Sequence, residues 1–149
     1  MGRLRKGPER DLIDDYLTRF NRTGRALSLG PCGEHEVDER KAITPAAQAP
    51  LLARAIPEGA HLVALDERGA MLSSPDFARL LAKTRDSGAR DMAFVVGGAD
   101  GLDTDLRGRA DTVLSLSHMV WPHMLARVML AEQIYRAATI LSGSPYHRE

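Results

Sequence analysis

The residues able to do chemistry gather in three short stretches of the C-terminal half. The first, Gly97-Gly98-Ala99-Asp100-Gly101, directly follows an apolar run from Met92 to Val96. Glycines at the C-terminal end of a strand remove side chains where a ligand would meet the main chain, and open α/β sheets bind ligands outside those ends. A plain tight turn needs the same glycines. The spacing differs from the dinucleotide fingerprint, which wants an acidic residue at the end of the next strand, whereas here the next apolar run passes into Ser115-Leu116-Ser117. The second stretch, Leu116 to Trp121, leads into Pro122-His123 and sets apolar side chains beside main-chain donors and acceptors, which suits a flat heterocycle. His118 and His123 have the right chemistry for acid or base work, although an isolated loop histidine is more often a surface or capping group. The third stretch, Ser144-Pro145-Tyr146-His147-Arg148-Glu149, packs a phenol, an imidazole and a guanidinium into the tail. Tails commonly fray. These three groups can nevertheless stack on a nucleobase and grip its edge and phosphate.

Other chemistries find no support. The five histidines do not pair as ligand motifs and there is one cysteine, so no metal site is expected. Neither a G-x-S-x-G elbow nor a Walker loop is present. Cys32 excludes an intramolecular disulfide and reads as a reduced thiol without a close charge to make it a thiolate.

The elements that must position these stretches alternate. A helix is predicted from Pro8, with Glu9 and Asp11 near its positive end, apolar Leu12, Ile13, Tyr16, Leu17 and Phe20 at helical spacing, and Gly24 at its end. Strands are predicted over 26–29, 61–65, 92–96 and 112–116, and helices over 44–55, 74–87, 103–109 and 122–141. Ser74 is the expected N-cap of its helix, with Pro75 in the first helical position. The alternation implies an α/β domain with a largely parallel sheet. The last helix is apolar around most of its circumference, while Glu132, Gln133, Arg136 and Thr139 form one narrow strip. Such a helix must be buried on nearly all sides, which predicts a homodimer contact unless a neighbouring helix covers the spare face. Glu132 and Arg136, four apart, can simply pair.

At 149 residues, 44% hydrophobic and 27% charged, the chain has the size and make-up of one ordinary globular domain, which argues against wholesale disorder. It lacks an apolar run long enough for a membrane helix and a signal-peptide pattern, so a cytoplasmic location is expected. Net charge is zero, so the totals announce no polyanionic partner. The first thirty residues carry seven basic against four acidic side chains, and the acidic segment 34–39 reads as a solvated loop.

Taken together, Val95-Val96-Gly97-Gly98-Ala99-Asp100-Gly101, Leu114-Ser115-Leu116-Ser117-His118-Met119, Pro122-His123, Arg127-Val128, Glu132-Gln133-Ile134-Tyr135-Arg136-Ala137 and Pro145-Tyr146-His147-Arg148-Glu149 closely resemble the RlmH family. Those are SPOUT-class methyltransferases that modify N3 of pseudouridine in large-subunit ribosomal RNA with S-adenosylmethionine. The resemblance is dense from about Leu62 onward and looser before it. It implies a SPOUT-type parallel sheet with a C-terminal trefoil knot, and a homodimer with its active site at the subunit interface. It assigns S-adenosylmethionine to Leu65, Gly97, Gly98, Leu116, Ser117, His118, Met119, Val120 and Trp121. For catalysis it points to Tyr146 and His147 orienting the uracil-like ring and assisting loss of the N3 proton, to Arg136 fixing a carbonyl or phosphate, and to His123 as a second candidate base. Arg3, Arg5, Lys6 and Arg148 are candidate contacts to ribosomal RNA or the assembled ribosome. Family members open with a short apolar strand before Gly2-Arg3-Leu4. Only Met1 stands there in this chain, so the first strand is expected to be truncated. A SPOUT enzyme for another RNA such as tRNA, or a non-catalytic RNA-binding or ribosome-assembly module, remains open at this point.

Overall fold

The computed structural model describes residues 1–38, 40 and 42–146. Alternation along one central strand sets the layering. In β1 (His61–Met71), Val63 points to one face of the sheet and Leu62 and Ala64 to the other, as a period of two requires. β2 (Met92–Val96) and β3 (Thr112–Ser115) flank β1, both parallel to it, in the order β2-β1-β3. Val63 packs with Phe20 of α1 (Pro8–Gly24), Phe77 and Leu81 of α3 (Ser74–Asp86), and Leu130 and Ile134 of α5 (His123–Leu141). On the opposite face Leu62, Ala64 and Val95 meet Leu52 of α2 (Pro45–Ala55) and Leu106 of α4 (Thr104–Gly108). Both faces of a parallel sheet are covered this way because crossover helices lie on them.

Short side chains start the helices. Thr44 accepts from the Ala47 N–H, and Asp103 from those of Asp105 and Leu106. The cap of α3 is Ser73 rather than Ser74, accepting from the Asp76 N–H, which moves Pro75 to the second helical position, where it also lacks no required donor. α5 begins at His123, one residue later than expected, with Pro122 as its cap residue.

Residues 26–29 are not a strand. Arg25–Leu27 form a 3₁₀ turn, Ser28 takes a left-handed conformation, and the Leu29 N–H returns to the Gly24 carbonyl at 2.9 Å. A Cβ at Gly24 would lie 2.8 Å from the Leu29 oxygen, so the glycine permits this reversal. β1 is longer than expected because a bulge after Leu65 shifts its register, so that Leu65 and Ala70 both face Leu114 of β3. Gly69 makes the bulge feasible: a Cβ there would stand 2.6 Å from the Leu114 backbone.

The outer edge of β2 borders a cavity of about 620 Å³, lined by β2, the segment 28–37 and Met1. The Met1 ammonium donates to the Val96 carbonyl at 2.8 Å, and the Gly2 N–H to Val37 at 2.9 Å. Helix α5 lies between α1 and α3, so a good part of the apolar surface that sequence assigned to a second subunit is covered within the chain. Among the described residues, no helix is long and apolar enough to cross a membrane.

Candidate functional site: a loop cluster at the sheet's C-terminal end

Parallel strands finish at one edge, and the register shows which residues finish together. Leu65 pairs with Val96 on one side and Leu114 on the other, so the segments beginning at Gly97, Asp66 and Leu116 leave the same end of the sheet. The expected cofactor positions Leu65, Gly97, Gly98 and 116–121 are therefore neighbours in topology although far apart in sequence. Leu65 is half-buried, and Gly97 and Gly98 are buried.

The glycine stretch is a closed turn. Gly98 and Gly101 form an isolated bridge, the Gly101 N–H reaches the Gly98 carbonyl at 3.1 Å, and Gly101 has φ +80°. A Cβ on Gly97 would come within 2.4 Å of the Gly101 oxygen. Gly97 is thus required first by the turn, and the bare main chain it leaves is a consequence. Beside it, Asp66 accepts from Arg107 Nη1 at 2.9 Å and from the Arg68 N–H at 3.0 Å, tying α4 to the exit of β1. Burial raises the Asp66 carboxyl, but those two partners outweigh it and hold it below the usual carboxylate range. Sequence reasoning did not find Asp66; its only signal is a carboxylate ending an apolar strand run.

The second loop is organised by one hydroxyl. Ser117 Oγ accepts from the Met119 N–H at 2.7 Å and from Trp121 Nε1 at 3.2 Å, while Ser115 Oγ donates to the Ser117 carbonyl at 2.8 Å. The turn holds Met119, Val120 and Trp121 exposed, three large apolar side chains in a row beside main-chain groups. His118 is exposed, and His123 is half-buried in the first turn of α5.

A cavity of about 340 Å³ connects this loop to α5; Ser115 and Leu116 line one part of it, and Tyr16, Leu72, Glu132 and Gln133 another. On α5 the pairing of Arg136 with Glu132 is realised, Nε to Oε1 at 2.9 Å. The Tyr146 hydroxyl donates to the same Oε1 at 3.3 Å, and the Arg136 guanidinium lies 5.2 Å from the Tyr146 ring centre. Burial and the Glu132 carboxylate push the Tyr146 phenol up to about 12. Arg136 and Tyr146 thus come together, whereas His147 and Arg148 lie outside the described residues.

Nearer the N-terminus, the acidic segment is not simply solvated. Arg127, with its side chain 7% exposed, donates through Nε to Glu34 at 2.6 Å, through Nη2 to Glu36 at 2.8 Å and through Nη1 to the Gly2 carbonyl at 3.2 Å. Arg10 binds Glu34 and Asp14. Arg3, Arg5 and Lys6 are exposed. The Cys32 thiol is raised by burial and by Glu34, away from thiolate character. Among the described residues, no group of three or more His, Cys, Asp or Glu side chains is placed to hold a metal ion.

Comparison with known proteins gives a consistent set of relatives. A family model described as "Predicted SPOUT methyltransferase" matches residues 1–147. A Ruegeria pomeroyi protein named "Ribosomal RNA large subunit methyltransferase H" is 64% identical over 148 residues, covering 99% of this chain and 95% of that protein. A protein of the same name from Dinoroseobacter shibae is also 64% identical over 148 residues, with the same shares covered. One from Paracoccus denitrificans is 62% identical over 149 residues, covering all of this chain and 96% of its own length.

Proposed function

Because the chain belongs to the SPOUT methyltransferase family, we propose that it transfers a methyl group from S-adenosylmethionine to N3 of a pseudouridine in large-subunit ribosomal RNA. The observation that carries this reading is the convergence of Leu65, Gly97 and the loop 116–121 at one end of a parallel sheet. The residues there fit such a cofactor. Met119, Val120 and Trp121 offer apolar surface for an adenine, the Ser117-held turn offers main-chain groups for its edge, and the turn at Gly97 bares backbone toward a sugar.

When bound, the sulfonium supplies an electrophilic methyl group. The chain's own task is to place the acceptor in line with it and to remove the N3 proton, and positioning of this kind supplies much of the rate. In this reading Arg136 holds a carbonyl or phosphate, Tyr146 and His147 orient the uracil-like ring and assist loss of its N3 proton, and His123 is the second candidate to take that proton. The active unit is a homodimer, for which the exposed Leu12, Met71, Leu72 and Leu125 supply apolar surface. The C-terminal trefoil knot and a cytoplasmic location come with the family reading.

Methyl incorporation into assembled ribosomes, isolated subunits, naked ribosomal RNA and tRNA, followed by mass spectrometry of the nucleosides, tests the proposal. N3-methylated pseudouridine from the large subunit is expected, and methylation of tRNA alone would replace the target. Cofactor at one hundred times its Kd stabilises a binding protein by about 2.7 kcal/mol. A chain whose melting temperature ignores S-adenosylmethionine would be a silent RNA-binding module instead.

A further inference from the structure

One carboxylate joins every polar member of the α5 cluster. Glu132 Oε1 accepts from Arg136 Nε and Nη2, at 2.9 and 2.7 Å, and from the Tyr146 hydroxyl, while Oε2 accepts from Gln133 Nε2 at 2.8 Å. Gln133 is in turn fixed by Ser74 of α3 at 2.8 Å. Tyr146 reaches Glu132 only because the tail folds back. Gly143 at φ +67° lets the Ser144 N–H bond the Thr139 carbonyl and the Gly143 N–H bond Ile140, a left-handed stop that returns the chain along the helix. The ring then sits 4.7 Å from Tyr135, which itself stacks 6.2 Å from Tyr16 of α1. A helix-surface pair between Glu132 and Arg136 needs none of these additions.

Both partners of that pair keep some exposure. Glu132 is 16% exposed at its side chain and Arg136 30%, and Arg136 Nη1 has no partner among the described residues. A phenol that donates its proton to a carboxylate keeps its oxygen lone pairs for another donor. We infer that Glu132 is a positioning residue for the proposed methyl transfer, locking Arg136 and Tyr146 into one unit in which the phenol oxygen accepts from the ring's N1–H and the guanidinium meets a ring carbonyl oxygen, so that N3 stays open to the methyl donor. The inference rests on the function proposed above. It narrows Tyr146 to orienting the ring, and the N3 proton passes to one of the candidate histidines, His147 or His123. Among the described residues, the charged and titratable groups facing the phenol are Glu132, Arg136 and Tyr135 on α5 and Tyr16 on α1. Arg19 of α1, paired with Asp15, lies over Tyr135.

Fluorine NMR of protein labelled with 3-fluorotyrosine, titrated with alkali in the wild type, Glu132→Gln, Glu132→Asp and Tyr146→Phe, tests the linkage. The Tyr146→Phe variant identifies the Tyr146 step. Glu132→Gln is expected to lower that step by roughly one pH unit, since an anionic neighbour disfavours the phenolate, and Glu132→Asp to restore part of it. In steady-state methylation of ribosomal RNA, Glu132→Gln is expected to lower kcat roughly 10- to 100-fold, the cost of a misplaced acceptor, with KM and the calorimetric affinity for S-adenosylmethionine little changed. A Tyr146 step that does not move in Glu132→Gln overturns the inference, as does a loss confined to KM. A wild-type chain that methylates no RNA overturns the proposed function instead, and the titration still decides whether Glu132 holds Tyr146.

Discussion

Helix α5 carries two arginine–glutamate clusters that differ in how fully their donors are used. At Arg127 each guanidinium nitrogen has an acceptor, two from carboxylates on segment 34–36 and one from the Gly2 carbonyl. The loose end of that cluster among the described residues is a buried Arg10 Nε. At Arg136 one side of the guanidinium is held by Glu132, and the other is left to the surroundings beside an exposed phenol. The same residue types on the same helix therefore serve different ends. A buried charge with an acceptor at every guanidinium nitrogen clamps chain segments together, and a half-satisfied, more exposed charge is available to a ligand.

The largest effect expected from this contrast is on stability. Arg127→Ala leaves Glu34 and Glu36 to Arg10 and the Leu4 N–H alone and releases Gly2, and chemical denaturation should show a loss of about 2–4 kcal/mol, a little under the range for fully buried pairs because the two carboxylates keep other partners and some water. A loss below about 1 kcal/mol would place Arg127 in the same class as a surface pair and break the comparison. Arg136→Ala should do the reverse. Its unfolding free energy should change by less than about 1 kcal/mol, while kcat for methyl transfer falls at least roughly tenfold. Equal losses of stability in the two variants would erase the distinction.

The acid limb of the stability curve sharpens it further, with a smaller effect. Burial raises the Glu36 carboxyl, but the Leu4 N–H, Arg127 and Arg10 outweigh it, so the folded value lies below the ordinary one. A carboxylate depressed in the folded state contributes stability that is complete above its unfolded value of about 4.3 and is lost as pH falls through the folded value. Wild type should therefore lose stability progressively below about pH 4, and Arg127→Ala should lose less over the same interval. Identical acid limbs in the two proteins would show that Arg127 does not hold Glu36.

Much of the scaffold was legible because its signals are local. Thr44 and Asp103 mark helix starts by competing for their own backbone N–H groups, and the apolar spacing after Pro8 reports one face of a helix. The failed strand at 26–29 shows the limit: a four-residue run with three apolar members is as compatible with a turn whose side chains are pulled inward, and Gly24 made that turn. The cap at Ser73 was misread because two adjacent serines precede Pro75 and either satisfies the local rule. Within the candidate site, the loops 97–101 and 116–121 were visible as residue types, and the resemblance ordered them. Gly69 and Asp66 were not, since each matters only through Leu114 and Arg107 on other elements.

What the amino-acid order determined alone is roughly where most helices and strands lie, which faces are apolar, and which side chains are able to bind a nucleoside or a base. Those properties depend on neighbours within a few positions. What the tertiary structure decided is which charges meet: Arg127 with Glu34 across 93 positions, and Tyr146 with Glu132 through a folded-back tail. Periodicity shows that a face must be covered but is silent on what covers it, because that depends on strand register and on the path of the chain between elements.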